Sequence, residues 1–76
     1  MKINIIVTLK DNVEDAEGQS VLKALHLLGY DEVSNVRTGK VYYIEMKGND
    51  LSKGYEFCDK LLANPVINKC KVERDD

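Results

Sequence analysis

The hydrophobic pattern of this chain changes period along its length, from two to about 3.6 and back again twice over, and that order most constrains its fold. From Lys2 to Lys10, Ile3, Ile5, Val7 and Leu9 share one face of a strand, while Lys2, Asn4, Thr8 and Lys10 share the other. Ile6 breaks the polar face. Asp11 to Glu14 reads as a loop. Asp15 is placed to cap a helix, because its carboxylate can accept a bond from a free backbone N–H of the first turn. That helix runs to about Leu28, with Val21, Leu25 and Leu28 at helical spacing. Gly29 ends it by entering the left-handed conformation without a steric penalty. His26 lies off the apolar stripe and is expected to be solvated.

The second half repeats the alternation. Val33 to Thr38 predicts an irregular strand, since Val33 and Val36 do not share a period-two face. Thr38-Gly39-Lys40 predicts a tight turn in which glycine supplies the unusual dihedral. Lys40 to Lys47 predicts a strand apolar on both faces, with Tyr42, Ile44 and Met46 alternating against Val41 and Tyr43. Asn49 or Asp50 caps a second helix whose stripe is Leu51, Gly54, Tyr55, Cys58, Leu61 and Leu62, and Asn64-Pro65 stops it. Val66 to Glu73 predicts the last strand.

This order, βαββαβ, predicts an α+β fold: a ferredoxin-like two-layer sandwich whose four-stranded antiparallel sheet carries two helices on one face. The helix-facing set is Ile3, Ile5, Val7, Leu9, Tyr42, Ile44, Met46, Val66, Cys70 and Val72. The opposite face carries Ile6, Val41, Tyr43 and Ile67, where a solvated sheet would be polar. An apolar strip there predicts a cover, and a second copy of the chain is the simplest one.

With 76 residues, a single domain spanning 1–76 is expected, and a core of that size rarely supplies more than about 3–5 kcal/mol. Some staple is therefore needed. Met1-Lys2-Ile3-Asn4 enters the first strand directly, with no pattern of an export signal, and no apolar run approaches the ~18 residues of a membrane span. A cytoplasmic location follows as the expectation. Cys58 and Cys70 are then expected to be free, buried thiols. They stand twelve residues apart and His26 is alone, which does not match the paired ligands of a zinc site. Association between copies remains as the staple. The net charge of −2 offers no broad attraction to nucleic acid or an anionic membrane. No glycine-rich phosphate loop occurs, and the lone histidine leaves no nucleophile–base pair. No catalytic, cofactor-binding or metal-binding residues are expected in this chain.

Several short runs, in order and at consistent spacing, carry a resemblance. They are Val7-Thr8-Leu9-Lys10, Asp15-Ala16-Glu17-Gly18 ahead of Val21, Leu28-Gly29-Tyr30, Val36-Arg37-Thr38-Gly39-Lys40, and Leu61-Leu62-Ala63-Asn64-Pro65-Val66-Ile67. Together, over about Lys2 to Glu73, they resemble the PurS family, the small subunit of phosphoribosylformylglycinamidine synthase in de novo purine synthesis. The resemblance implies a non-catalytic assembly subunit. In such a complex the glutaminase PurQ releases ammonia from glutamine. The synthetase PurL then uses that ammonia, with ATP and Mg, to make the amidine. PurS bridges the two as a homodimer or homotetramer. On this resemblance, the turn Arg37, Thr38, Gly39 and Lys40 and the corner Asn64, Pro65 and Val66 are expected to contact partner chains. The chain departs from the family at Ala16, often proline, at Cys70, often aromatic, and at Asn68, often acidic. The alternative reading is a small-metabolite-sensing regulatory domain of the same architecture, suggested by the apolar second sheet face. RNA binding is a third, with at most one of Tyr42 and Tyr43 able to stack from the open face.

Overall fold

A computed structural model describes residues 1–76. The elements run β1 (Lys2–Leu9), α1 (Ala16–Leu27), β2 (Gly39–Glu45), α2 (Ser52–Phe57), continued by a π-helical turn over Cys58–Leu62, and β3 (Asn68–Arg74). β1 lies at the centre of one antiparallel sheet of order β2-β1-β3. Ile5 stands opposite both Tyr42 and Val72, and Val7 opposite both Lys40 and Cys70. The alternation of β1 therefore sets the two faces of the sheet. Ile3, Ile5 and Val7 lie on the covered face, and Ile3 and Ile5 are fully excluded from solvent. Burying such a side chain contributes about 1.5–3 kcal/mol.

α2 and its π-helical extension form the covering layer. Asp50 Oδ1 accepts bonds from Ser52 N (3.1 Å) and Ser52 Oγ (2.5 Å) just ahead of α2. Gly54 lets the helix sit directly on the sheet, since a Cβ there would meet Val72 Cγ1 at 2.6 Å and Ile3 Cδ1 at 3.2 Å. The widened turn closes with Ala63 N donating to Cys58 O (3.1 Å), an i→i+5 bond. Gly54 and Cys58 are buried and Leu62 is half-buried, whereas Tyr55 and Leu61 of the predicted stripe are exposed.

The sheet has three strands, not the predicted four. Val33 to Thr38 forms no strand because its hydrogen-bonding groups are engaged elsewhere. Val33 N donates to Tyr30 O (3.3 Å), Val33 O accepts from His26 Nε2 (2.7 Å), and Thr38 N donates to Asp15 Oδ2 (2.6 Å). A ladder needs those same groups.

Nor do two helices share one face. α1 is capped as its sequence requires, with Asp15 accepting from Gly18 N (2.8 Å) and Gly29 at φ 97° beyond its end. Its body stands off the sheet, however, leaving Val21, Leu27 and Leu28 exposed. The shape is correspondingly long, 48 × 28 × 14 Å, with a radius of gyration of 15.5 Å. A compact chain of this length would have about 11 Å.

Three local expectations also change. Gly39 has no positive φ and opens β2 opposite Thr8; a Cβ there would meet Val7 O and Thr8 Cγ2 at 2.9 Å, so close approach of backbones is what requires glycine. Val66, placed by periodicity on the covered face, lies in the turn before β3 and is exposed. Cys58 and Cys70 are bonded to each other rather than free. The register explains the pairing: Cys58 points down from the π-helical turn, and Cys70 points up from β3 beside Val7.

Candidate functional site

The two segments expected to touch partners are twenty-four positions apart in the chain, with most of β2 and all of α2 between them, yet both lie at the end of the sheet where β1 finishes. The antiparallel register puts Gly39 opposite Thr8 on one side and Asn68 opposite Leu9 on the other. Lys10 joins them. Its N–H donates to Ile67 O (2.8 Å), its Nζ to Pro65 O (2.7 Å), and its carbonyl accepts from Arg37 Nη2 (3.0 Å) and Val13 N (2.9 Å). Periodicity singled out none of this, because Lys10 reads only as the polar end of a strand.

Asp15 fixes one side of this end. Beyond Gly18 N, it takes Thr38 N and the Thr38 hydroxyl, the latter at 2.9 Å to Oδ2 and 3.1 Å to Oδ1. Asp15 is buried, and the backbone N–H of Gly18, followed by that of Thr38, holds its carboxyl below the ordinary value of 3.8. The sequence identified Asp15 as a cap; that the same carboxylate anchors residue 38 across twenty-three positions had no local signal. Gly18 makes the approach possible, since any Cβ there would overlap the Val36 carbonyl oxygen.

The corner on the other side is locked by its own side chains. Asn64 Oδ1 accepts from Val66 N (2.9 Å), and Asn64 O accepts from Asn68 N (2.7 Å) and Ile67 N (3.1 Å). Asn68 Oδ1 accepts from Asn64 N (2.9 Å), and its Nδ2 donates to Thr8 O (3.2 Å). Asn68 is thus a structural clasp. Lys69 pairs with Asp11 at 3.0 Å and lowers that carboxyl's pKa. A cavity of about 210 Å³ opens between Thr8, Glu17, Thr38, Lys40, Leu62 and Asn68.

The open sheet face is as apolar as expected on one side only. Ile6 stands opposite Val41, and Tyr43, 77% exposed, follows two residues on. On the β3 side the same face carries Lys69, Lys71 and Glu73, with Lys71 and Glu73 paired at 2.8 Å. Ile67 does not join the patch; it lies in the turn before β3, at the Lys10 end. Tyr42 and Tyr43 point to opposite faces as their adjacency requires. No group of three or more His, Cys, Asp or Glu side chains is gathered as a metal site would need.

The family model for PurS, phosphoribosylformylglycinamidine (FGAM) synthase, matches residues 2–76. The chain is 41% identical over 76 residues to the phosphoribosylformylglycinamidine synthase subunit PurS of Archaeoglobus fulgidus, with 95% of each chain covered. Its structure is similar to that of Methanocaldococcus jannaschii PurS, with a TM-score of 0.83, 39% identity, and 99% and 98% of the two chains covered. It is also similar to a chain of the PurLQS structure from Thermotoga maritima, with a TM-score of 0.80, 30% identity, and 95% and 93% covered. Sequence, length and fold agree across the whole chain, and it belongs to the PurS family of phosphoribosylformylglycinamidine synthase subunits.

Proposed function

We propose that this chain is the non-catalytic subunit that bridges a PurQ-type glutaminase and a PurL-type synthetase, supporting the ATP- and glutamine-dependent conversion of FGAR to FGAM. The observation that carries this reading is the convergence of Arg37–Lys40 and Asn64–Val66 on Lys10 at one end of the sheet. Two loops pinned to one strand end form a rigid platform, and a preorganised surface loses little freedom on docking. The partner's need is physical. Ammonia is a small neutral nucleophile that protonates and escapes in water, so the two active sites have to be sealed together. In this reading ATP and magnesium belong to the synthetase, the chain holds no cofactor, and the complex works in the cytoplasm. No helix of the chain is long and apolar enough to cross a membrane.

The same reading includes self-association as a homodimer or homotetramer. Only five apolar residues are buried in the single chain, Ile3, Ile5, Val7, Cys58 and Val72. Tyr42 and Ile44 on the β2 side of the covered face remain half-exposed, and on the apolar stripe of α1 Leu25 is half-exposed while Val21 and Leu28 are exposed. The Ile6–Val41–Tyr43 patch adds a third uncovered apolar surface. A second copy would complete a core that one chain leaves open.

The test is co-purification and activity. With PurQ- and PurL-type subunits present, glutamine-dependent FGAM synthesis is expected to require the chain. Lys10→Ala, which removes the Nζ bond to Pro65 O, combined with Arg37→Ala, which removes the bond to the Lys10 carbonyl, is expected to weaken the complex. Equal glutamine-dependent synthesis with and without the chain refutes the assignment.

A further inference from the structure

The bond between Cys58 and Cys70 ties the π-helical turn to the covered face of the sheet, and the chain between the two cysteines contains the corner at the docking end. Cys58 sits in the π-helical turn, 3% exposed, and Cys70 lies in the middle of β3, half-buried. Their Cα atoms are 6.5 Å apart, within disulfide reach. The twelve-residue separation spans the rest of the π-helical turn and the whole Asn64-Pro65-Val66 corner. The corner's other ties are hydrogen bonds at or near the surface, those of Asn64, Asn68 and Lys10. The sulfur bridge is its one covalent tie. π-Helical turns are rare and concentrate at functional sites.

We propose that Cys58 and Cys70 form a reversible thiol–disulfide site that clamps the Asn64–Val66 corner and so tunes its docking, a consequence that rests on the assembly reading above. In a reducing compartment a disulfide of this kind is characteristically transient. The co-reactant is a low-molecular-weight disulfide of the glutathione class. The half-buried Cys70, as thiolate, attacks one sulfur of that disulfide and releases one small thiol. The Cys58 thiolate then attacks Cys70 Sγ in the mixed disulfide, forms the internal bond and expels the second small thiol. Two protein thiols and one small disulfide thus become one protein disulfide and two small thiols. Reduction runs backwards, with an external thiol entering at Cys70 because Cys58 is closed to solvent.

The full chain is equilibrated in graded mixtures of oxidised and reduced glutathione, and free thiols are trapped with a maleimide and counted by mass. One concerted transition between two thiols and none is expected. The reduced chain and Cys70→Ser are both expected to melt roughly 10–20 °C lower than the bonded form. Amide exchange at Val66, Ile67 and Asn68 is expected to rise in both. Affinity for the partner subunits is expected to fall about tenfold, because three corner residues have to be re-ordered on docking. Thiols that stay free in every mixture overturn the proposal, as does a bond whose reduction leaves melting and corner exchange unchanged. Equal partner affinity of the two forms overturns the link to docking. Binding by neither form, with the exchange difference intact, refutes the assembly reading and upholds the thiol site.

Discussion

Replacing Gly18 with alanine is the sharpest test of how α1 is tied to the docking end. In an ordinary helix this exchange stabilises by about 1 kcal/mol, because glycine gives up the most backbone freedom on folding. Here the new Cβ would overlap the Val36 carbonyl oxygen and lie 3.1 Å from both Asp15 Cγ and Asp15 Oδ2. The obstacle is main chain, not the tip of a flexible side chain. It cannot retreat freely, because Thr38 is held by Asp15 and Arg37 by Lys10. Overpacking costs about 1–3 kcal/mol, and a direct overlap with main chain falls at the upper end, about 2–3 kcal/mol. Set against the propensity gain, the net loss is about 1–2 kcal/mol, a fall in Tm of roughly 5–15 °C for a domain of this size. Circular dichroism melts at one fixed protein concentration measure it, since association shifts Tm with concentration. Ser20→Ala, on an exposed position of the same helix, is the control and should change Tm little. A Gly18→Ala chain that melts at or above the wild-type temperature would show that the contact between α1 and Val36 is not what the geometry indicates.

Two further outcomes follow from the same contacts. Asp15 has its pKa depressed by the backbone N–H groups of Gly18 and Thr38, so its stabilisation is complete above the unfolded value near 3.8 and is lost as pH falls through the lower folded value. The gap in urea midpoint between wild type and Asp15→Asn should therefore be wide at pH 7 and narrow below pH 3.8; a gap independent of pH would contradict it. Val41→Lys with Tyr43→Ser, on the open face beside Ile6, should lower the self-associated fraction in sedimentation experiments while leaving the far-UV spectrum unchanged. An unaltered association state would place the interface elsewhere, on α1 or the β2 side of the covered face.

Much of this architecture was legible in local pattern. The alternation Ile3, Ile5, Val7 became the buried spine of β1, Asp15 and Gly29 bounded α1, and the Gly54–Cys58 stripe became the face of α2 that meets the sheet. These are properties of neighbouring residues, and period and capping chemistry report them directly. The family signature was also sequence-borne, since motif order and spacing need no coordinates, and the comparisons bear it out.

What the chain alone did not disclose depends on partners distant in sequence. Whether Val33 to Thr38 forms a strand is decided by which group takes its hydrogen bonds, and Asp15 and His26 take them before any strand can. Whether an apolar helical stripe covers a sheet depends on where the loops aim it, and α1 is aimed away. The cysteine pair shows both levels at once. Periodicity put Cys58 and Cys70 on facing surfaces, and an argument from compartment set them free. The register of β3 under the π-helical turn brought them within bonding distance. Sequence periodicity therefore determined which side each residue faces. Only the tertiary structure decided what stands across from it, because contact between residues far apart in the chain is set by register and loop geometry that no local pattern encodes.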